Sequence, residues 1–352
     1  MKKLVAIGLS IAMAMTMMAC GGTTASAPTA APAESAAAPA AAETAPAGGD
    51  ATYTLKFANV NNEQYPYHPA SELFKEIVEE KTGGDIQVEL YPGGTLGSET
   101  ELVEQTQLGT LDMCVVATAP ISNFIDSFKV FDLPFLFSDS AQEFEILDSE
   151  IGQGLMDQVK QIGVTGLGFW DNGIRSPSNS KIEINSMADL KGLKIRVMEN
   201  DIHVAAYQAI GANPTTMAWS EVFTAVQQGT VDGFESSPII YSTGKYYEIQ
   251  KYYGVIEMLY SPALLMINSD KLASLPQEYQ DIIKEAAREA TLKERDLYQD
   301  AVVAALEDTQ AHGMIITHPD KAEFVEAVQP VYDKFKDAIG AELIESIQNY
   351  SK

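Results

Sequence analysis

Residues 189–238 read DLKGLKIRVMENDIHVAAYQAIGANPTTMAWSEVFTAVQQGTVDGFESSP. The run opens on a short apolar strand that ends at Arg196, continues through a helix, and turns at a Gly/Pro pair to present Trp219. A second helix from Ser220 to Gln228 leads into an acidic turn at Asp232–Glu235. The chain has only four arginines, Arg175, Arg196, Arg288 and Arg295. The last two fall in a long polar helix, so Arg175 and Arg196 are the ones to be explained. A planar, permanently charged guanidinium at a strand end can grip a carboxylate through two parallel hydrogen bonds. That is a device for holding a ligand, not catalytic machinery. The competing reading of Arg196 is a structural ion pair with Glu199 or Asp189, and of Arg175 a brace for its loop.

Upstream, Tyr53–Val60 alternates like a strand, and His68–Thr82 carries a helical stripe at Leu73, Phe74, Ile77 and Val78. Ile86–Tyr91 alternates again. Ser98 and Glu101 form a capping box for a helix that runs to Gly109, and Leu111–Ala117 is another strand. This order predicts a mostly parallel sheet covered by helices, with ligands beyond the carboxyl ends of its strands. Helices at Ser140–Leu147 and Ile151–Ile162 precede a strand at 164–170, and Asp171-Asn172-Gly173 marks a crossing into a second lobe. Strands near Glu257–Asn268 bring the chain back. Pro276–His312 reads as one helix of about 50 Å, too long for one lobe and expected to lie across both. Met314–His318 and helices from Asp320 to Gln348 are expected to complete the second lobe.

The first nineteen residues have a basic start at Lys2 and Lys3 and a short apolar stretch, Leu4–Met18, as an export leader does. Met17-Met18-Ala19-Cys20 resembles a lipobox, which places lipid on Cys20 after cleavage. Residues 21–51 are almost entirely Ala, Pro, Thr, Ser and Gly, cannot bury a core, and read as a tether. Losing Lys2 and Lys3 with the leader takes the formal charge from −26 to −28. Such a surface argues against nucleic acid and anionic membrane surfaces as partners. Of two cysteines, Cys20 is the anchor and Cys114 lies in an apolar strand, so no intrachain disulfide is expected. The histidines, at 68, 203, 312 and 318, are scattered, and no spacing suggests a metal site or a cofactor.

Six blocks in order carry a resemblance: YPGGTLGSETELVEQTQLGTLDM, DLPFLF, NGIRSPSNSK, DLKGLKIRV, GANPTTMAWSEVFTAVQQGTVDGFE and the helix after SLPQEYQ. The chain resembles, from Tyr53 onward, the extracytoplasmic solute-binding proteins of tripartite ATP-independent periplasmic (TRAP) transporters, dicarboxylate type. The resemblance implies an α/β fold of two lobes, with crossing strands and a lobe-spanning helix, closing on an organic acid. It also implies that Arg196 is the carboxylate clamp, Arg175 a second arginine near the same group, and Trp219 an aromatic packed on the ligand. Glu99 and His68 lie on segments that commonly reach the cleft. Ser236 stands where many members have asparagine, a departure that bears on the distal contacts. Tyr241 is the cleft candidate of a tyrosine-rich stretch (Tyr246, Tyr247, Tyr252, Tyr253) otherwise expected to pack or lie at the surface. Glu235 reads as a turn and lobe-packing residue.

The organisation expected is a leader at 1–19, an anchor and tether at 20–51, lobe I at 52–172 plus 262–300, and lobe II at 173–261 plus 301–352. The function expected is a monomeric, lipid-anchored receptor, not an enzyme. It would deliver a small organic acid to the small and large TRAP permease subunits on the outer face of a bacterial membrane. A sugar acid is favoured over sialic acid or a four-carbon dicarboxylate. A ligand sensor for a signalling receptor and an exported enzyme acting on acidic sugars are the other classes.

Overall fold

The computed structural model describes residues 51–350; the leader, Cys20 and nearly all of the tether lie outside the described residues. The strands are β1 (Tyr53–Ala58), β2 (Ile86–Tyr91), β3 (Met113–Ala117), β4 (Val164–Asn179), β5 (Lys194–Val197), β6 (Asn213–Thr216), β7 (Gly233–Ser236), β8 (Tyr252–Gly254), β9 (Leu259–Asn268) and β10 (Ile315–Thr317). Their pairing order is β2-β1-β3-β9-β4-β7-β5-β6, with β8 joining β4 to β10. β1 is parallel to β2 and β3, and β5 is parallel to β6 and β7. β9 runs antiparallel between β3 and β4.

β4 does the crossing. Val164–Arg175 pairs with β9, Ser176 and Pro177 pair with β7, and Ser178 and Asn179 pair with β8. One strand therefore belongs to both groups of the sheet, which form the two lobes of an α/β fold. Alternate residues feed two apolar layers. Ala58, Cys114, Val116, Leu264 and Met266 join one, and Leu55, Phe57, Met113, Val115, Leu265 and Ile267 join the other. Burial on both faces is why these strands read as near-continuous apolar runs.

The long helix, Gln277–Ala311, has 35 residues and so spans about 50 Å. Its first half meets helix Tyr67–Lys81 through a Lys81–Glu285 pair at 2.8 Å, and Ser242 donates to Asp308 near its far end at 2.6 Å. Its middle grips β4. Trp170 Nε1 donates to Thr291 Oγ1 at 3.0 Å, the Asp171 N–H donates to Glu294 Oε2 at 2.8 Å, and Arg295 donates from Nε and Nη2 to the Phe169 carbonyl. Glu294 is 0 % exposed, whereas its neighbour Lys293 is exposed. Arg295, grouped by sequence with the unremarkable residues of a polar helix, is buried and pairs with Asp148 at 2.8 Å.

The helix passes where β4 shifts register between Asp171 and Ile174. Gly173 there has φ +87°, and a Cβ would run into the Tyr298 hydroxyl, so only glycine serves.

Three local expectations are corrected. The stretch 232–235 is not an acidic turn but enters β7, with Glu235 fully buried, because it slots between β4 and β5. The Gly/Pro turn before Trp219 contains β6, paired with β5. The second helix begins at Trp219, one residue before the expected Ser220, with Ala218 before it. Tyr246 and Tyr253 pack inside, one of the two places expected of them. The tail touches both lobes: Tyr332 donates to the Pro134 carbonyl at 2.8 Å, and the Met187 N–H donates to Glu323 at 2.6 Å.

Candidate ligand-binding site

Most of the cleft residues follow the carboxyl ends of strands or begin helices. Val60 and Asn61 follow β1, Met198 follows β5, and Ser236 ends β7. Glu99 and Trp219 are the first residues of helices Glu99–Leu108 and Trp219–Gln227. Arg175, Arg196, Asn172 and Ile240 complete the lining of the cleft.

Strand alternation sends Ile195 and Val197 into one apolar layer and Arg196 to the opposite side. Arg196 is 2 % exposed. Its Nε and Nη2 both donate to the Met217 carbonyl, at 2.9 and 2.6 Å, and its Cζ lies 5.9 Å from the Trp219 ring centroid. Among the described residues no carboxylate lies within ion-pair distance of it. Burial pulls its pKa down, against the fields of Glu235 and Glu99, but a guanidinium stays charged. A buried charge without a partner is costly, so the site stores a demand for an anion.

Arg175 is in the opposite condition. Its Nε donates to Glu235 Oε2 at 2.5 Å and its Nη2 to the Glu235 carbonyl at 3.0 Å. The other Glu235 oxygen accepts from the Met198 N–H at 3.2 Å and lies 3.6 Å from His203 Nδ1. His203 Nε2 meets Asp132 Oδ1 at 2.8 Å. These four side chains form a buried chain of alternating charge, each at most 4 % exposed. Burial would raise the Glu235 pKa, but Arg175 and His203 outweigh it and hold the carboxyl at about 2. Burial would lower His203, yet Asp132 and Glu235 raise it to about 8. Glu235 is therefore spent as an ion-pair partner and unsuited to act as a base near neutrality.

Trp219 packs on Phe234 and Tyr246, with centroids at 6.0 and 5.6 Å, and leaves part of its ring at the cleft. Glu99 Oε1 accepts from the Ala117 N–H at 2.8 Å. The capping box at Ser98 and Glu101 is formed and fixes this helix start.

Arg196, Arg175, Trp219, Ser236 and Glu99 thus come together, whereas His68 and Tyr241 do not line the cleft. His68 sits 3.6 Å from Glu72 on its own helix. Its neighbour Tyr67, about 100° around the helix, turns inward instead and reaches Asn172 Oδ1 at 3.4 Å. Tyr241 is 1 % exposed and donates to the Phe234 carbonyl, locked between Phe234 and Tyr253 behind the cleft. Asn61 and Asn172 were missed. The available signal was their place, just past β1 and at the β4 crossing. Among the described residues no three His, Cys, Asp or Glu side chains converge to hold a metal ion.

A family model described as bacterial extracellular solute-binding protein, family 7, matches residues 57–338. The chain belongs to that family. A solute-binding protein of Verminephrobacter eiseniae is 38 % identical over 85 % of this chain and 90 % of its own length. The 2,3-diketo-L-gulonate-binding periplasmic protein YiaO of Escherichia coli is 30 % identical over 84 % of this chain and 92 % of its own. Among solved structures, a TRAP periplasmic solute-binding protein from Sulfitobacter with bound β-D-galacturonate aligns with a TM-score of 0.82 at 33 % identity. That alignment covers 84 % of this chain and 100 % of the other. Family 7 proteins are extracytoplasmic binding proteins rather than enzymes, and the TRAP members work with membrane permeases.

Proposed function

We propose that this family 7 protein captures a sugar acid and hands it to a TRAP permease made of a small and a large membrane subunit. The observation that carries this is Arg196: a guanidinium in the cleft wall, nearly fully buried, with no carboxylate partner among the described residues. The ligand carboxylate docks on its remaining donors, Trp219 packs on the carbon skeleton, and Asn61, Asn172, Ser236 and Glu99 take hydroxyls. Arg175 is already matched by Glu235. The cleft thus offers one unpaired cation, which favours a single carboxylate over a four-carbon dicarboxylate. The ligands of the Sulfitobacter and Escherichia coli proteins, both sugar acids, support this choice.

The lobes, 52–172 plus 262–300 and 173–261 plus 301–352, close about β4 and β9 on the ligand. The protein acts as a monomer, held at the membrane by lipid on Cys20 and the Ala/Pro-rich tether. Calorimetry against D-galacturonate, D-gluconate and succinate tests the reading. Tight binding of one sugar acid with weak succinate supports it. Binding of succinate alone would overturn the ligand class, and no binding by any acid would overturn the role of Arg196.

A further inference from the structure

Resting on that reading, the charge balance of the cleft carries a consequence for protons. The cleft and the ion chain behind it contain three cationic groups, Arg175, Arg196 and protonated His203. They contain three carboxylates, Glu235, Asp132 and Glu99. Arg175 is matched by Glu235 and His203 by Asp132, which leaves Arg196 and Glu99 facing one cleft without an ion pair to any described residue. Before an acid arrives, the set is neutral. An incoming carboxylate on Arg196 adds one negative charge to a site where water is scarce and like charges repel strongly.

Only one of the three carboxylates is placed to absorb that charge. Glu235 is bound by Arg175, His203 and the Met198 N–H. Asp132 is bound by His203 and by Asn200 Nδ2 at 2.7 Å. Glu99 spends one oxygen on the Ala117 N–H, and its other oxygen has no hydrogen bond to a described residue. The groups around Glu99 come from several elements. Arg196 belongs to β5 and Glu199 to the residues after it, Arg175 to β4, Tyr67 to helix Tyr67–Lys81, and Cys114 to β3. Two of these, Arg196 and Arg175, are cations that favour the ionised form of Glu99. A ligand carboxylate neutralises the nearer field, and Glu199 adds a like charge on the same side.

We infer that Glu99 is a proton site loaded as the acid docks, so that the protein captures its ligand as a carboxylate together with one proton. The proton comes from solvent and binds the unengaged Glu99 oxygen. The resulting O–H donates toward the ligand, and no other bond is made or broken. Burial already pushes the Glu99 carboxyl above its ordinary range, against Arg196 and Arg175. Linkage sets the sign: a group that gains a proton on binding makes affinity rise as pH falls, by at most about tenfold per pH unit.

The test is calorimetry of the purified protein with D-galacturonate at neutral pH in two buffers of different ionisation enthalpy. The difference in observed heat gives the protons taken up. Uptake approaching one per ligand is expected, with affinity falling as pH rises. Glu99→Gln, which mimics the protonated acid, should bind without proton uptake and with affinity independent of pH, whereas His203→Gln should keep the uptake. Binding without uptake by the unaltered protein overturns the inference and leaves the Arg196 reading standing, and this needs no variant to fold. Uptake that persists in Glu99→Gln overturns it too. No binding of D-galacturonate, D-gluconate or succinate at any pH removes the Arg196 reading and this inference with it.

Discussion

Replacing Arg196 with lysine keeps the charge and removes the planar fork. In the structure Nε and Nη2 are both committed to the Met217 carbonyl, so in the proposed function the fork holds its own backbone and a ligand at once. A lysine ammonium must share its donors between those two tasks and cannot present two parallel hydrogen bonds. Losing one charge-assisted bond to the ligand costs about 2–3 kcal/mol, or about 30- to 150-fold in Kd. The assay is calorimetry with the preferred sugar acid, alongside thermal melts of both proteins without ligand. The unliganded melting point should change little, because among the described residues Arg196 has no ion pair and a lysine ammonium can still donate to the Met217 carbonyl. Ligand-induced stabilisation should shrink in proportion to the lost affinity. Unchanged affinity in a folded variant would refute the clamp. A large loss of unliganded stability would recast Arg196 as structural.

Glu235→Gln strips the partner from a buried Arg175 and should cost about 3–5 kcal/mol of stability by chemical denaturation. Wild-type stability would refute the ion chain. His203 has a folded pKa raised to about 8 above an ordinary value of about 6.5. Its stabilising contribution is therefore complete below about pH 6.5 and lost as pH rises through about 8, an effect of about 2 kcal/mol. Melts between those limits should fall in the unaltered protein and flatten in His203→Gln; equal slopes would remove His203 from the network. Cys20→Ser should move the exported protein from the membrane fraction to the soluble one without changing sugar-acid affinity, and membrane retention would refute the lipid anchor.

The sequence by itself determined the local elements and their class. Alternation marked β1, β2 and β3, a capping box placed the helix at Glu99, and the long helix read as Pro276–His312 lies within a residue of its observed ends. These signals are local, written in neighbouring residues by the geometry of strand and helix. Scarcity of arginine made Arg196 conspicuous.

What only the tertiary structure decided was how groups far apart in sequence spend their charges and hydroxyls. Arg175 meets Glu235 sixty residues away because β4 pairs with β7. Glu294 and Arg295 are buried because their helix crosses β4 at its register shift. Tyr241 packs behind the cleft because Phe234 and Tyr253 close around it. None of these pairings has a local signature, since a side chain's partner is set by strand order and crossing angle. With Arg175 matched by Glu235, Arg196 is left in the cleft without an ion pair to any described residue.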